Sequence, residues 1–271
     1  MTETTTEELR GVARSIRRVI QPTTTTDLLG VTYTLRREAR PQGPDRDYAV
    51  LKALATGRRC VLDVGANLGL TALLMTSTMA PDGRLFAFET SEEACRIIGD
   101  NAALNGLADR IVVVNALIAE RSGLTIDFYG DSFSGGASII PGYLAHNRPL
   151  RKATMALDDF VADCGCAPDL LKIDVEGAEL RVLAGLNQTM AVHRPLLFVE
   201  LHSWGDVTIP NTVARLLEQL APLAYRLIYL RHKAVVDDPA VFAGRGRCHV
   251  LLCPNESSFF DELAMLDTTG L

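Results

Sequence analysis

The chain has 271 residues, of which 48% are hydrophobic and 22% are charged. This composition is typical of a globular protein and excludes a disordered or fibrous chain. The net charge of −6 argues against a nucleic-acid-binding protein, because phosphate contacts come from clusters of Lys and Arg.

The sequence carries no signal for export or membrane insertion. No apolar run approaches the about 18 residues that a membrane-spanning helix needs, and residues 1–8 lack the apolar segment of a secretory signal. We therefore expect a cytoplasmic protein with no membrane contact. The six cysteines form no C-x-x-C pair, so we expect free thiols and neither a zinc site nor a disulfide framework.

Residues 1–56 are predicted to form an N-terminal helical extension. Residues 7–21 place apolar side chains on one helical stripe, and Pro22 ends that helix. A second helix is predicted over 45–56. The arginines of the first helix have two interpretations: a solvated surface, or a lid or dimer contact near an anionic ligand. We favour the solvated surface, since charged helix faces usually face water, while the apolar stripe suits a homodimer.

From residue 57 to 271, short apolar runs alternate with helical segments, which indicates βαβ units and an α/β fold with a parallel sheet. The predicted strands are 60–64, 84–89, 111–115, 170–174 and 195–201, and the predicted helices are 68–79, 92–105, 176–190 and 211–220.

Two departures from this alternation are expected. Strands over 225–230 and 248–253 follow each other without a helix, which predicts an antiparallel pair at the sheet edge. Residues 121–152 are predicted to be an irregular insertion near an acceptor site, with a short strand over 124–129.

The first core strand runs into a glycine-containing turn followed by a helix. Gly65 and Gly69 permit a tight turn and a close approach to a ligand. The order G-x-N-x-G departs from the G-x-G-x-x-G of dinucleotide sites and suits the D-x-G-x-G-x-G loop of S-adenosylmethionine enzymes, with Asn67 in place of the middle glycine. A plain strand–helix turn would also use glycines. The candidate cofactor-binding residues here are Asp63, Gly65, Ala66, Asn67 and Gly69.

Glu89 ends the second core strand and Thr90 follows it, at a place where a carboxylate can accept hydrogen bonds from both hydroxyls of a ribose. The alternative role for Glu89 is a charge at the N-terminus of the next helix, but the glutamates at 92–93 already fill it. Ligands of doubly wound sheets lie outside the carboxyl ends of the strands, so Asn115 and Ala116 are expected to border an adenine.

A lysine within an apolar core strand is costly unless its charge is paired. By strand alternation, Lys172 shares a face with Asp174, and Glu200 shares a face with His202. If the two strands are neighbours, all four side chains meet at their carboxyl ends, with Lys172 neutralised by Asp174 or Glu200. The structural alternative makes Asp174 a helix cap and leaves Lys172 and Glu200 unexplained. We therefore predict a catalytic site here.

The segment Lys-Ile-Asp-Val-Glu-Gly-Ala-Glu over 172–179 resembles the FkbM family of S-adenosylmethionine-dependent methyltransferases. Residues 63–69, 88–89, 101–106 and 157–159 add to the resemblance, although Thr90 stands where the family commonly has proline. The resemblance implies a Rossmann-like class I methyltransferase with a seven-stranded, mainly parallel sheet and an antiparallel edge strand. It also implies S-adenosylmethionine as cofactor and O-methylation of a natural product or sugar.

Methyl transfer to a hydroxyl requires alignment of oxygen, carbon and sulfur, and a general base. His202 is the first candidate base, because its usual pKa is near neutrality. Asp174 is the second, as base or as the group that orients the acceptor. His146 is a candidate for the acceptor pocket. No comparable setting is seen for His193, His232 and His249.

The acceptor is expected to be a small molecule, and no nucleic acid or metal is predicted as a partner, since Asp158 and Asp159 give only a thin hint of a cation site. Three alternatives stay open. They are N-methylation of a similar metabolite, a nicotinamide-dependent oxidoreductase, which the glycine spacing disfavours, and a non-catalytic binding module, which the intact candidate site disfavours.

Overall fold

The computed structural model describes residues 22–43, 45, 47–130, 137–139, 150–259, 263–268 and 271. The helix predicted over 7–21 and His146 lie outside the described residues, as does much of the 121–152 insertion. Among the helices that are described, none has the length and apolar character to cross a membrane.

From residue 60 onward, strands and helices alternate in the described chain except over residues 111–155 and 225–254. The strands are β1 (Thr23–Leu28), β2 (Val31–Arg36), β3 (Cys60–Val64), β4 (Arg84–Glu89), β5 (Ile111–Asn115), β6 (Leu117–Ile118), β7 (Thr125–Gly130), β8 (Ala137–Ser138), β9 (Leu150–Met155), β10 (Leu170–Ile173), β11 (Leu196–His202), β12 (Tyr225–Tyr229), β13 (Ala234–Val235) and β14 (Arg247–Pro254). The α-helices are α1 (Asp47–Ala55), α2 (Leu70–Thr76), α3 (Glu92–Leu104), α4 (Leu157–Cys164), α5 (Glu179–Ala184), α6 (Asn187–His193) and α7 (Ile209–Leu220).

The main sheet of the described chain has eight strands in the order β13-β12-β14-β11-β10-β3-β4-β5. The pairs from β11 to β5 are parallel, and their apolar residues pack on both faces, against α1 to α3 on one side and α4 to α7 on the other. The strand order reverses between β3 and β10. In a doubly wound sheet this switch point opens a crevice at the carboxyl ends of the strands, where ligands bind.

Two features of the sheet differ from the prediction. The expected seven strands become eight because the two-residue strand β13 pairs with β12 and forms the edge. The antiparallel strand β14 lies inside the sheet, between β11 and β12, although it pairs antiparallel with β12 as predicted.

The helix predicted over 176–190 is two helices, α5 and α6, which are separated at Gly185. A Cβ atom there would lie 2.5 Å from the carbonyl oxygen of Ala119. The chain turns at this close backbone approach, which cannot be recognised from the spacing of apolar residues in the sequence.

The described part of the N-terminal extension is not entirely helical, because β1 and β2 form a hairpin. Helix α1 falls within the helix predicted over 45–56. The hairpin turns at Leu29-Gly30, where φ is 52° and 81°. Asn101 of α3 and Asn105, which caps the C-terminus of that helix, accept hydrogen bonds from the backbone N–H groups of Arg36 (2.7 Å) and Thr34 (2.9 Å). The hairpin is thus held on the outside of α3.

The described part of the insertion adds to a second sheet with the order β6-β9-β7-β8, in which β7 corresponds to the strand predicted over 124–129. The cysteine prediction was wrong in one place, since Cys164 and Cys166 are joined by a disulfide at the end of α4. The other cysteines are free: Cys60, Cys95, Cys248 and Cys253.

Candidate active site

The turn after β3 brings the backbone of two neighbouring strands together. Gly65 has φ of 78°, and a Cβ atom there would lie 1.9 Å from the carbonyl oxygen of Asp174, which follows β10. Asn67 has φ of 49°, in the left-handed region that Asn tolerates. The glycine at 65 is therefore required by a close approach of β3 and β10 and not only by the turn.

A first cavity of about 560 Å³ opens at the carboxyl ends of β3, β4 and β10. Of the predicted cofactor-binding residues, those that line it are Gly65, Asn67, Glu89, Thr90, Ala116 and Asp174. Part of its wall is apolar, a feature not predicted from the sequence, and is formed by Phe88, Leu117, Ile118 and Phe128 among others.

Glu89 lies at the end of β4 on the wall of this first cavity. Its carboxylate accepts hydrogen bonds from the backbone N–H groups of Asn67 (3.0 Å) and Ser91 (2.9 Å). Burial raises the pKa of Glu89, while these N–H groups oppose the rise. A carboxylate has about four acceptor positions, so Glu89 keeps capacity for hydroxyl donors of a ligand.

Three of the predicted cofactor-binding residues line neither this cavity nor the second cavity on the other side of the turn. Asp63 is fully buried and accepts a hydrogen bond from Thr71 Oγ1 (2.7 Å). Asn115 is exposed, and its Nδ2 donates hydrogen bonds to the carbonyl oxygens of Glu89 and Thr90, each at 2.9 Å. Gly69 packs its backbone against Ile98 of α3. These three residues contact the segments that form the cavity wall without lining the cavity themselves.

Lys172 is a buried cation beneath the turn. Its Nζ donates a hydrogen bond to the carbonyl oxygen of Gly65 (2.8 Å) and lies 3.4 Å from both Asp63 Oδ1 and Asp174 Oδ2. Burial alone would lower the pKa of Lys172, but these carboxylates raise it above its usual value. Asp63 was not expected as a partner of Lys172.

His202 is enclosed by carboxylates at the end of β11. Its Nδ1 lies 2.9 Å from Glu179 Oε1, and its Nε2 lies 3.5 Å from Glu200 Oε1, 3.5 Å from Glu176 Oε2 and 3.9 Å from Asp174 Oδ1. Burial favours the neutral ring, but Glu179 and Glu200 outweigh it and raise the pKa of His202 to about 10. A ring that is protonated at neutral pH does not suit the expected role of general base, and His202 lines neither cavity.

A second cavity of about 570 Å³ lies on the other side of the turn. It is lined by residues of the 38–48 segment, by the turn after β3, and by side chains of β10 and β14, including Ala66, Lys172, Asp174, Arg247 and His249. Asp174 borders both cavities. Within the described chain it is the one titratable residue common to the two linings.

His249 has a setting that sequence analysis did not foresee. Its Nε2 lies 2.9 Å from Asp47 Oδ2 of α1 and 3.4 Å from Glu200 Oε2 of β11. Burial lowers its pKa, but these two carboxylates raise it to about 9. The contact joins α1 to β14, which come from opposite ends of the chain, so no local pattern could reveal it.

The chain is similar in sequence to two proteins named as methyltransferases. A 150-residue alignment with the 2-O-methyltransferase NoeI of Sinorhizobium fredii is 30% identical and covers 49% of this chain and 60% of NoeI. An alignment with the methyltransferase sdnD of Sordaria araneosa is 24% identical over 188 residues, 58% of this chain and 71% of sdnD. The chain thus spans less than two thirds of NoeI.

Among solved structures, the methyltransferase FkbM of Methylobacillus flagellatus superposes with a TM-score of 0.46 at 16% identity, over 73% of this chain and 44% of that one. The sequence pattern of the Methyltransferase FkbM domain matches residues 63–227, more than half of the chain. This match includes Gly65, Glu89, Asp174 and His202, and the chain therefore belongs to the FkbM methyltransferase family.

Proposed function

We propose that the protein is an S-adenosylmethionine-dependent O-methyltransferase whose acceptor is a hydroxyl of a small natural product or sugar. The observation that carries the proposal is the meeting of two cavities at Gly65, Asn67, Leu68 and Asp174. A methyltransferase needs adjoining places for a donor and an acceptor. The first cavity is assigned to the donor and the second to the acceptor.

The residues of the first cavity fit S-adenosylmethionine. Glu89 supplies the carboxylate that accepts hydrogen bonds from ribose hydroxyls, and Ala116, Leu117 and Ile118 supply an apolar wall for the adenine. When bound, S-adenosylmethionine supplies a methyl group on a sulfonium, which carries its own leaving group. Gly65 and Asn67, which line both cavities, would contact the donor where the two cavities meet.

Asp174 is assigned as the group that takes the proton from the acceptor hydroxyl. It borders both cavities, and its side chain is 29% exposed, so an acceptor can reach it. Burial raises the pKa of Asp174, while Lys172 opposes the rise. A raised pKa makes a carboxylate a better proton acceptor, provided that it stays ionised at the working pH.

His202 takes a different role from the one expected from its residue type. Its ring lies among the carboxylates of Glu179, Glu200 and Asp174 and does not reach either cavity. As an imidazolium, it offsets their charge and keeps Asp174 and Glu200 in place. We assign it as a positioning residue.

The choice of oxygen as the acceptor atom draws support from the polar lining of the second cavity and from the name of NoeI, a 2-O-methyltransferase. The experiment that tests the proposal has two stages. Calorimetric titration should show binding of S-adenosylhomocysteine and no binding of NAD; the reverse would favour an oxidoreductase. Turnover of ¹³C-methyl-labelled donor with sugars, polyols and amines, followed by NMR, should give an O-methyl signal. An N-methyl signal alone would reject the choice of oxygen.

A further inference from the structure

Three side chains from separate elements converge on the wall of the second cavity. Asp47 is the first residue of α1, and Glu200 and His249 are register partners across β11 and β14. One ligand atom from each lies within 4.8 Å of the other two. Asp47 and His249 line the cavity directly. We call this set the carboxylate–histidine cluster.

The imidazole of the cluster is buried without satisfactory hydrogen bonds. His249 is 4% exposed, and neither of its ring nitrogens has a hydrogen-bond partner among the described residues. Its Nε2 is close to two carboxylate oxygens, but neither contact has the alignment of a hydrogen bond. Buried polar atoms are almost always paired. The cluster therefore points to a ligand that the surrounding side chains do not supply.

Two of the three distances within the cluster match those between neighbouring ligands of one metal ion, and the third is below 4.8 Å. Metal bonds to imidazole nitrogen and carboxylate oxygen are about 2.0–2.2 Å long, which places adjacent ligand atoms about 2.9–3.5 Å apart in octahedral or tetrahedral geometry. His249 Nε2 is 2.9 Å from Asp47 Oδ2 and 3.4 Å from Glu200 Oε2. Both separations fall within that interval.

The chemistry of the three ligand side chains determines which kind of metal ion the cluster would bind. A bound metal ion would displace the ring proton of His249, and the two carboxylates would then supply two negative charges to a divalent cation. Arg247 Nε, 3.0 Å from Glu200 Oε1, neutralises part of that charge. One imidazole with two carboxylates suits first-row transition metals better than Mg²⁺ or Ca²⁺, which prefer oxygen ligands alone. Three protein ligands on a cavity wall also leave coordination positions open toward the cavity.

We propose that Asp47, Glu200 and His249 form a binding site for a first-row divalent transition metal, with its open positions facing the second cavity. This replaces the sequence-based expectation of a protein without a metal site. Asp47 and His249 lie outside residues 63–227, so the site is built partly by segments beyond the family match. It stands independently of the proposed methyl transfer.

The probe is Co²⁺, titrated into tag-free protein that has been freed of metal with a chelator and contains no methyl donor. Visible d–d absorption reports coordination, and equilibrium dialysis reports the stoichiometry. We expect one Co²⁺ per chain. The Asp47→Asn and His249→Gln variants should each bind at least about tenfold more weakly, since each loses a metal ligand.

Two control variants locate the site. His232→Gln removes an exposed histidine and should bind Co²⁺ as the parent does. His202→Gln removes the ring that holds Glu200 in place, so it should weaken Co²⁺ binding less than His249→Gln does. The inference is overturned if the parent protein binds no Co²⁺, if Asp47→Asn and His249→Gln bind as tightly as the parent, or if only His202→Gln loses binding. Circular dichroism checks folding, and Asp47→Asn, at the start of a surface helix, provides the decisive variant if His249→Gln does not fold.

Discussion

The Nζ atom of Lys172 donates a hydrogen bond to the carbonyl oxygen of Gly65 at 2.8 Å, which ties β10 to the turn after β3. Lys172→Met should therefore leave Asp63 and Asp174 without their shared cation and destabilise the fold by about 3–5 kcal/mol. Urea unfolding measures the change. The half-buried Lys52, whose Nζ donates one hydrogen bond to the carbonyl oxygen of Leu29 at 3.0 Å, provides the control. Lys52→Met should cost about 1 kcal/mol or less. A Lys172→Met protein as stable as the parent would show that the buried charges are not coupled.

Gly65 is predicted to tolerate no side chain. Gly65→Ala places a Cβ atom 1.9 Å from the carbonyl oxygen of Asp174, so β3 and β10 would have to move apart. Gly57→Ala is a matched control, because its φ of 72° is similar but no atom lies within 4 Å of its Cβ. The control should lose about 1–2 kcal/mol from backbone strain alone. Gly65→Ala should lose more, and it should also lose binding of S-adenosylhomocysteine in calorimetry. Equal losses in the two variants would contradict the close approach.

The ribose contact makes Glu89 the residue on which donor affinity depends most. Glu89→Ala should weaken binding of S-adenosylhomocysteine by about 10–100-fold, because hydrogen bonds to a charged group contribute about 1.5–3 kcal/mol. Asp82→Ala, in an exposed ion pair with Arg59, is the control and should bind normally. Unchanged affinity in Glu89→Ala would place the ribose elsewhere.

The surroundings of His202 predict a pH dependence of stability. Its pKa is raised in the folded protein from 6.5 to about 10. The protonated ring therefore stabilises the fold fully below pH 6.5, and this contribution is lost as the pH rises toward 10. Urea unfolding at intervals from pH 6 to 10, with a chelator present, should show falling stability in the parent and a shallower fall in His202→Gln. Parallel curves for the two proteins would mean that the ring is not charged in the fold.

Proton removal by Asp174 predicts a loss of turnover without a loss of donor binding. Asp174→Asn keeps the shape of the side chain but cannot accept the proton, so kcat should fall by about 10²–10⁴-fold. Affinity for S-adenosylhomocysteine should change by less than about threefold, which would be about 0.6 kcal/mol. In the parent, activity should fall at acid pH as Asp174 becomes protonated, and it should not keep rising to pH 10 as it would with His202 as base. Near-normal turnover in Asp174→Asn would transfer the base role to another residue.

The core strands could be read from the sequence because buried parallel strands are continuous apolar runs. The pairing of Lys172 with Asp174 could also be predicted, because residues two apart in a strand lie on the same face. The hairpin β1–β2 escaped notice because its first strand is mostly threonine and half exposed, with no apolar period. The charge of His202 was not predicted because it depends on Glu179, which lies in another element and meets the ring only in the folded protein. The cluster of Asp47 with His249 depends on chain ends that meet only in the folded sheet.

The most direct test of the account is a crystal structure of the protein with S-adenosylhomocysteine. The account predicts the nucleoside in the first cavity, with its ribose hydroxyls within hydrogen-bond distance of Glu89 and its sulfur on the side of Asp174. A nucleoside bound in the second cavity or elsewhere on the molecule would contradict the assignment of donor and acceptor sites.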